Sequence, residues 1–252
     1  MSDENLAEIR NEKAKKIQHP KGKLTAYERL DLLLDEGSFS EIDQHVASEE
    51  NPEGEAVITG TGTIHGRPVF VFSEDFSVMG GSLGEVVAKK ILKIIDHALE
   101  ARAPIIGIKD SGGARIQEGI SSLFGYAQIF KKNVEASGKV PQISVVVGPS
   151  AGGAVYSPAL TDFIFQVKDI GQLYVTGPAV VKTVTGEDVT FEELGGVEAH
   201  GTKSGVTHQV CETEEQAFEE IRYLMSFLPQ SSSQKPPMFI TEDEPSRVIE
   251  SL

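Results

Sequence analysis

The 252-residue sequence has one cysteine, no tryptophan and no long hydrophobic run. Because Cys211 is the only cysteine, neither an intramolecular disulfide nor a cysteine-based zinc site can form. No apolar stretch approaches the roughly 20 residues that cross a bilayer, and residues 1–5 lack the cationic and apolar regions of a signal peptide. These absences predict a protein without a membrane anchor, in the reducing environment of the cytoplasm.

Positive charge is also scarce, since 23 Lys and Arg residues stand against 38 Asp and Glu, a formal net charge of −15. General nucleic-acid binding is not expected, because phosphate recognition needs clustered Lys and Arg. The histidines show no metal-ligand spacing, so no metal site is expected. With 39% hydrophobic residues, the chain can bury a full core, and we expect one main domain.

The distribution of helix, strand and linker signals divides the chain into three parts. Residues 1–36 are predicted to form an N-terminal helical arm. Residues 37–228 are predicted to form an α/β domain. Residues 229–252 begin with a stretch rich in Ser, Gln and Pro, which is typical of a linker-like tail.

Within the predicted domain, a hairpin comes first and cycles of helix and buried strand follow. The buried strands lie near residues 104–109 and 143–147 and show no polar alternation, and the helix between them is predicted over about residues 120–136. Buried strands separated by helices indicate largely parallel pairing with crossover helices. The last helix is predicted to begin at Thr213, in a capping box completed by Gln216.

Two glycine pairs occur where a buried strand gives way to a helix, Gly112-Gly113 and Gly152-Gly153. Glycine lets the backbone approach a ligand closely, and a helix start leaves free N–H groups in a favourable dipole. Two such donors suit the enolate oxygen of a thioester that has lost its α-proton, and they can lower that barrier by several kcal/mol. Either pair taken alone is also explained by a tight turn.

Four longer segments carry a more specific signal. They are residues 75–82 (DFSVMGGS), 110–119 (DSGGARIQEG), 148–159 (GPSAGGAVYSPA) and 188–196 (DVTFEELGG). These segments resemble the N-terminal half of the carboxyltransferase β subunits of propionyl-CoA and acetyl-CoA carboxylases. The resemblance implies a crotonase-like (ClpP/crotonase) α/β fold built from repeated strand-strand-helix units.

The resemblance also implies a biotin-dependent enzyme that moves a carboxyl group from carboxybiotin to a short-chain acyl-CoA. Coenzyme A would arrive as part of the substrate, and biotin on a separate carrier protein or domain. In the family, biotin removes the α-proton after carbon dioxide is released, and the enolate then captures it. The implied partners are a biotin carboxyl carrier, a biotin carboxylase component and the complementary C-terminal half, in a homo- or hetero-oligomer.

The same resemblance implies which residues form the site. The implied catalytic backbone amides are those of Gly113, Ala114, Gly152 and Gly153. The residues implied to bind the CoA portion are Phe76, Met79, Gly80, Gly81, Ser111, Gly112 and Lys23. Two roles are equally compatible with the cations Lys21, Lys23 and Arg29: binding of the CoA phosphates, or a solvated charged face. Phe76 and Met79 fit the channel wall or the core.

Other functions stay open on the sequence alone. Residues 148–152 match the Gly-x-Ser-x-Gly elbow of a serine hydrolase, with Ser150 as nucleophile. Asp188 and one of two histidines, His200 or His208, follow in the required order. A decarboxylase subunit, or a half that only binds and assembles, would carry the same motifs. A Walker-type phosphate loop is not supported, because its Gly-Lys ending is interrupted.

Overall fold

Strands and helices alternate along most of the chain in this computed structural model, which describes residues 3–240, 244 and 246–248, with side chains from Leu6 onward. Parts of the predicted arm and tail, residues 1–2, 241–243, 245 and 249–252, lie outside the described residues. The strands are β1 (Ser40–Glu41), β2 (Val57–Ile64), β3 (Arg67–Glu74), β4 (Ile105–Ser111), β5 (Gln142–Ala151), β6 (Phe163–Val167), β7 (Gln172–Tyr174) and β8 (Gln209–Cys211).

Within the described residues these eight strands form one sheet in the order β1-β2-β3-β4-β5-β6-β8, with β7 beside the end of β5. The hairpin predicted at the start of the domain is the antiparallel pair β2–β3. From β3 onward, neighbouring strands pair in parallel, as the buried, non-alternating pattern indicated. Helices cover both faces of the sheet.

The helices are α1 (Asp3–Gln18), α2 (Ala26–Leu33), α3 (Glu85–Ala101), α4 (Ile120–Ala136), α5 (Gly153–Ala159), α6 (Pro178–Thr185), α7 (Phe191–Gly195) and α8 (Glu214–Met225). One hydrophobic cluster lies between the sheet and helices α2 and α8, and a second lies between the sheet and helices α3 and α4. Neighbouring residues of β4 point to opposite faces of the sheet, so Ile106 and Ile108 belong to the first cluster and Ile105 to the second. No helix of the described part is long and apolar enough to cross a membrane.

Helix α2 is part of this core rather than a detached element. Its residues Leu30 and Leu33 are fully buried. The helix begins at Thr25, whose hydroxyl accepts a hydrogen bond from the Glu28 amide while the Glu28 carboxylate accepts one from the Thr25 amide. This complete capping box satisfies two of the amides that a helix start leaves free. The domain boundary drawn after residue 36 stays a prediction.

Helix α8 begins after Thr213 as predicted, but its capping box is incomplete. The Thr213 hydroxyl accepts a hydrogen bond from the Gln216 amide, as the motif requires. The Gln216 side chain, however, accepts from the amide of Glu212 at 2.7 Å rather than from that of Thr213. Glu212 is the first residue past β8, so its amide has left the strand ladder, and Gln216 supplies the acceptor there.

Asp35 joins the end of α2 to the β2–β3 turn and to α8. Its carboxylate accepts hydrogen bonds from the turn amides of His65 and Gly66. It also accepts from the Thr63 hydroxyl and from the Arg222 guanidinium. Burial alone would raise the Asp35 pKa, but these hydrogen bonds together hold the pKa below its usual value.

Asp35→Asn is therefore expected to cost stability in a pH-dependent way. Because the folded-state pKa is lowered, the contribution is fully present above the unfolded-state pKa of about 3.9 and is lost as pH falls from there through the lower folded-state pKa. We expect a loss of about 2 kcal/mol in the free energy of unfolding at pH 7 and a smaller loss at pH 3, where the unfolded carboxyl group is already mostly protonated, measured by urea unfolding. Asp96→Asn, at a partly exposed pair with Lys132, is the matched control. Equal losses at both pH values for Asp35→Asn would contradict this account.

Candidate active site

Three glycine-containing segments meet at the carboxyl ends of β3, β4 and β5. Strands β4 and β5 pair in parallel up to Ser111, so the segments that follow them run side by side. They are close, because a side chain at Gly113 would begin 2.6 Å from the Ala151 carbonyl oxygen. On the other side, the Gly112 amide donates to the Gly80 carbonyl oxygen at 2.9 Å. The carboxyl edge of a parallel sheet is where ligands usually bind in α/β proteins.

Two of the four amides implied to be catalytic already have acceptors inside the protein. The Gly113 amide donates to the Ser111 hydroxyl at 3.1 Å. The Gly152 amide donates to the Tyr174 carbonyl oxygen at 3.0 Å. Gly152 has φ 57° and ψ −121°, a conformation that needs glycine. These two residues therefore shape the loops, while their N–H groups are engaged.

The other two amides, those of Ala114 and Gly153, have no acceptor within the described part of the chain. Ala114 is fixed on both sides, because the Leu83 amide donates to the Gly113 carbonyl and the Arg115 amide donates to the Leu83 carbonyl, each at 2.9 Å. Gly153 is the first residue of α5, where helical amides lack an intrahelical acceptor. Each loop thus offers one uncommitted backbone donor.

The Gly80–Gly81 turn braces the first of these loops. The Ser111 hydroxyl donates to the Gly81 carbonyl oxygen at 2.6 Å. A side chain at Gly81 would overlap the Asp110 carbonyl oxygen, so this close approach requires glycine. Met79, beside the turn, is exposed, and Phe76 is half-buried, so neither is a full core residue.

The three cations considered for CoA phosphates have different surroundings. Lys21 is exposed, with its ammonium 4.9 Å from the centre of the Phe76 ring. Lys23 lies at the same distance, 4.9 Å, from that ring, but it is buried and donates to the Asp110 carboxylate at 2.6 Å. Arg29 is fully buried. For Arg29, both the phosphate-binding and the solvated-face interpretation were wrong.

Arg29 instead belongs to a buried ionic network directly before the first glycine loop. Its guanidinium donates to Asp110 at 2.9 Å and to Glu214 at 2.6 Å. The Asp110 carboxylate also accepts from the Gln18 amide group at 3.1 Å and from Lys23. Burial lowers the pKa of Lys23 and raises that of Glu214. The network connects α1, α2 and α8 to the end of β4.

A second network holds the far side of the same loop. Arg115 is fully buried and donates to Glu55 at 2.8 Å and to Glu118 at 2.9 Å. The Glu118 carboxylate also accepts from the amide of Glu85, the first residue of α3, at 2.6 Å. Ala114 therefore lies in a backbone segment that is fastened at both ends.

The structure does not assemble the residues of a serine hydrolase. Ser150 is fully buried, and its hydroxyl donates to the Ala154 carbonyl oxygen at 3.0 Å. Asp188 is exposed. Both candidate histidines, His200 and His208, hydrogen-bond to backbone groups of β7 and β6 instead. Within the described residues, Ser150 thus has no histidine base.

Large apolar side chains near the two loops lie in solvent. Four of them directly follow the first loop, and the others lie on or beside α6, a helix with no buried residue in the described structure. They are Ile116, Ile120, Leu123, Phe124, Val175, Val180, Val184 and Phe191. Exposed apolar groups at this density mark an interaction surface. The sequence reasoning missed this surface, because apolar residues at positions 116, 120, 123 and 124 have the spacing of a helix face that packs on a core.

Comparisons with known proteins agree with the motif resemblance. The family model described as carboxyl transferase domain matches residues 17–252. The carboxyltransferase subunit of propionyl-CoA carboxylase from Haloferax mediterranei is 56% identical over 243 residues, which cover 93% of this chain and 47% of the relative. The alpha subunit of methylmalonyl-CoA decarboxylase from Veillonella parvula is 52% identical over 260 aligned positions, covering 99% and 51%.

Solved structures lead to the same family. A crystal structure of transcarboxylase 12S with hydrolysed methylmalonyl-CoA bound matches with a TM-score of 0.89 at 46% identity, over 95% of this chain and 51% of that one. The beta subunit of geranyl-CoA carboxylase from P. aeruginosa matches with a TM-score of 0.80 at 29% identity, over 90% and 43%. The crotonase-like α/β fold is confirmed, and the chain spans about half the length of the relatives it matches. This chain belongs to the carboxyl transferase domain family.

Proposed function

We propose that this chain is the acyl-CoA-binding half of a biotin-dependent carboxyltransferase that acts on a short-chain acyl-CoA. The observation that carries the proposal is the pair of uncommitted N–H groups of Ala114 and Gly153, one in each of two adjacent loops. Relatives named for propionyl-CoA and methylmalonyl-CoA support a short acyl chain. Phe76, Met79 and the Gly80–Gly81 turn flank the loops and form the proposed CoA channel.

The chemistry of this half is the stabilisation of an enolate. The thioester carbonyl oxygen is placed between the amides of Ala114 and Gly153. When the α-carbon loses its proton, negative charge moves onto that oxygen, and both hydrogen bonds strengthen. Removal of one such donor costs about 3–4 kcal/mol of transition-state stabilisation in comparable sites. The fixed loops supply these donors without rearrangement at the moment of reaction.

The base that removes the α-proton is proposed to come from outside this chain. Within the described residues, three carboxylates beside the loops are already paired with cations. They are Asp110, Glu74 and Glu118. This arrangement fits a site that depends on biotin delivered by a carrier, because biotin supplies both the carboxyl group and a basic nitrogen when bound. The side chains of this half hold the loops and leave the proton transfer to the cofactor.

The exposed apolar surface supports an assembly with further components. We propose that the complementary C-terminal half covers this surface, with a biotin carboxyl carrier and a biotin carboxylase component serving the joined site. The chain spans about half of its relatives, and the transcarboxylase 12S structure is described as a hexamer assembly. The decarboxylating direction is a second candidate, because the Veillonella decarboxylase subunit is 52% identical over nearly the whole chain.

A charged side chain placed in this surface is expected to weaken association with the C-terminal half. Phe124→Glu should weaken binding to the separately produced C-terminal half about 30-fold or more, because a desolvated carboxylate would face an apolar partner. Val134→Glu is the matched control, since Val134 is also exposed on α4 but lies near the other end of the helix. Calorimetric titration measures both variants. Equal affinities for Phe124→Glu and the original chain would show that the partner binds elsewhere.

Reconstitution tests the proposed function as a whole. The chain is mixed with the C-terminal half, a carboxybiotinylated carrier carrying a ¹⁴C label, and propionyl-CoA. Label is expected in the acyl-CoA only in the complete mixture. Ester hydrolysis by the chain alone, abolished by Ser150→Ala, would instead establish the hydrolase alternative. Transfer of label from carboxyl-labelled methylmalonyl-CoA to a biotinylated carrier, without transfer in the forward direction, would instead establish the decarboxylase.

A further inference from the structure

Tyr126 on α4 occupies the space in which a side chain of residue 153 would lie. A Cβ atom built on Gly153 would be 2.6 Å and 2.8 Å from two carbons of the Tyr126 ring. The ring itself is buried and stacks on Phe130, with ring centres 5.9 Å apart. It cannot swing aside without losing that contact. The Tyr126 ring thus leaves room only for glycine at position 153, and the Gly153 backbone packs directly against that ring.

The contact continues along both helices. Phe130 meets the edge of Tyr156, one turn after Gly153 in α5, with ring centres 5.8 Å apart. Further along, the Ser157 hydroxyl donates to the Asn133 side-chain oxygen at 3.0 Å. Helix α5 therefore packs against α4 along its length. This packing fixes the start of α5, where the free Gly153 amide lies.

The ring rather than the hydroxyl of Tyr126 makes this connection. The hydroxyl is buried and forms no hydrogen bond of full geometry among the described residues, although Ser111 lies close to it. Burial raises its pKa most, the Glu74 carboxylate raises it further and Ser111 offsets only part of this rise, so the group stays neutral. An unsatisfied buried hydroxyl is a net cost to the folded state. A phenyl ring would serve the same packing role without that cost.

Helix α4 is also attached to the other loop. The Ser122 hydroxyl, in the first turn of α4, donates to the Arg115 carbonyl oxygen at 2.7 Å. One helix thus contacts the segment after Ala114 at its start and Gly153 one turn later. We propose that Tyr126 is a positioning residue that sets the separation of the Ala114 and Gly153 amides. This inference rests on the function proposed above.

The test compares Tyr126→Phe, which keeps the ring, with Tyr126→Leu, which removes it, in the reconstituted enzyme. Tyr126→Phe is expected to keep kcat within about 2-fold, with a melting temperature equal to or above that of the original protein. Tyr126→Leu is expected to lower kcat about 100-fold, because a displaced amide no longer meets the enolate oxygen. KM for propionyl-CoA should change less than about 3-fold, since the loss falls on the enolate rather than on binding of the thioester.

A second measurement does not depend on activity. Gly153→Ala should lower the urea midpoint of unfolding strongly in the original background and much less in the Tyr126→Leu background, because the ring that collides with the new methyl group is gone. Absence of this coupling would overturn the proposal, and so would full kcat in Tyr126→Leu or a Tyr126→Phe protein that behaves like Tyr126→Leu. If the variants show the coupling but the original protein does not bind propionyl-CoA, the failure lies with the proposed function.

Discussion

Arg29→Met is expected to lower the free energy of unfolding by about 3–5 kcal/mol, the largest stability effect of any single change considered. Arg29 is fully buried between Asp110 and Glu214, which are also buried. Loss of the guanidinium would leave two carboxylates with only Lys23 as a counter-charge. A buried charge without its partner costs far more than a lost surface ion pair.

The matched control is Lys89→Met, which removes a cation from an exposed pair with Glu85 on α3. That variant should lose less than about 0.5 kcal/mol. Urea unfolding at pH 7 measures both proteins. The cost of breaking a buried ion pair is about 3–5 kcal/mol. A loss of less than about 1 kcal/mol for Arg29→Met would therefore mean that the network is solvated in solution and does not hold the first glycine loop.

The largest expected effect on catalysis comes from Ala114→Pro. Proline lacks the N–H group, and at this position the N–H has no acceptor in the described part of the protein, so the substitution removes a free donor without breaking an internal hydrogen bond. The account predicts a loss of about 100- to 1,000-fold in kcat of the reconstituted enzyme. The loss should appear in kcat rather than in KM, because the hydrogen bond strengthens as charge develops.

Ala114→Ser is the control for this experiment, since serine keeps the backbone N–H. It should retain kcat within about 3-fold, because only the transition-state donor matters to that rate. Melting temperatures of both variants show whether the loop and the fold survive. If a folded Ala114→Pro protein had unchanged turnover, the Ala114 amide would have no role in catalysis.

Local patterns were enough to predict most elements of the fold. Helix α4 was expected over residues 120–136 and has those bounds, because a long amphipathic helix carries its own periodic signal. The buried run at residues 143–147 identified β5, although the strand extends to Ala151 because the glycine segment itself still pairs with β7. The parallel pairing followed from strands without polar alternation.

The details of the site depend on contacts that no local pattern records. Arg29 meets Asp110 across 81 residues of sequence, and Arg115 meets Glu55 across 60. Neither the burial of these charges nor their partners can be read from charge composition. The glycine pairs located the two loops, but which amides stay free depends on acceptors such as the Tyr174 carbonyl, supplied by a strand that follows the loop.

Titration of ¹⁵N-labelled protein with propionyl-CoA, followed by amide NMR, tests the central claim most directly, because it reports on the two proposed donors individually. The account predicts saturable shifts of the Ala114 and Gly153 amide signals, with smaller shifts for Gly113 and Gly152, whose N–H groups keep their internal acceptors. Free CoA should not reproduce the shifts of Ala114 and Gly153. Saturable binding that leaves both of those signals unmoved would contradict the claim that they hold the thioester oxygen.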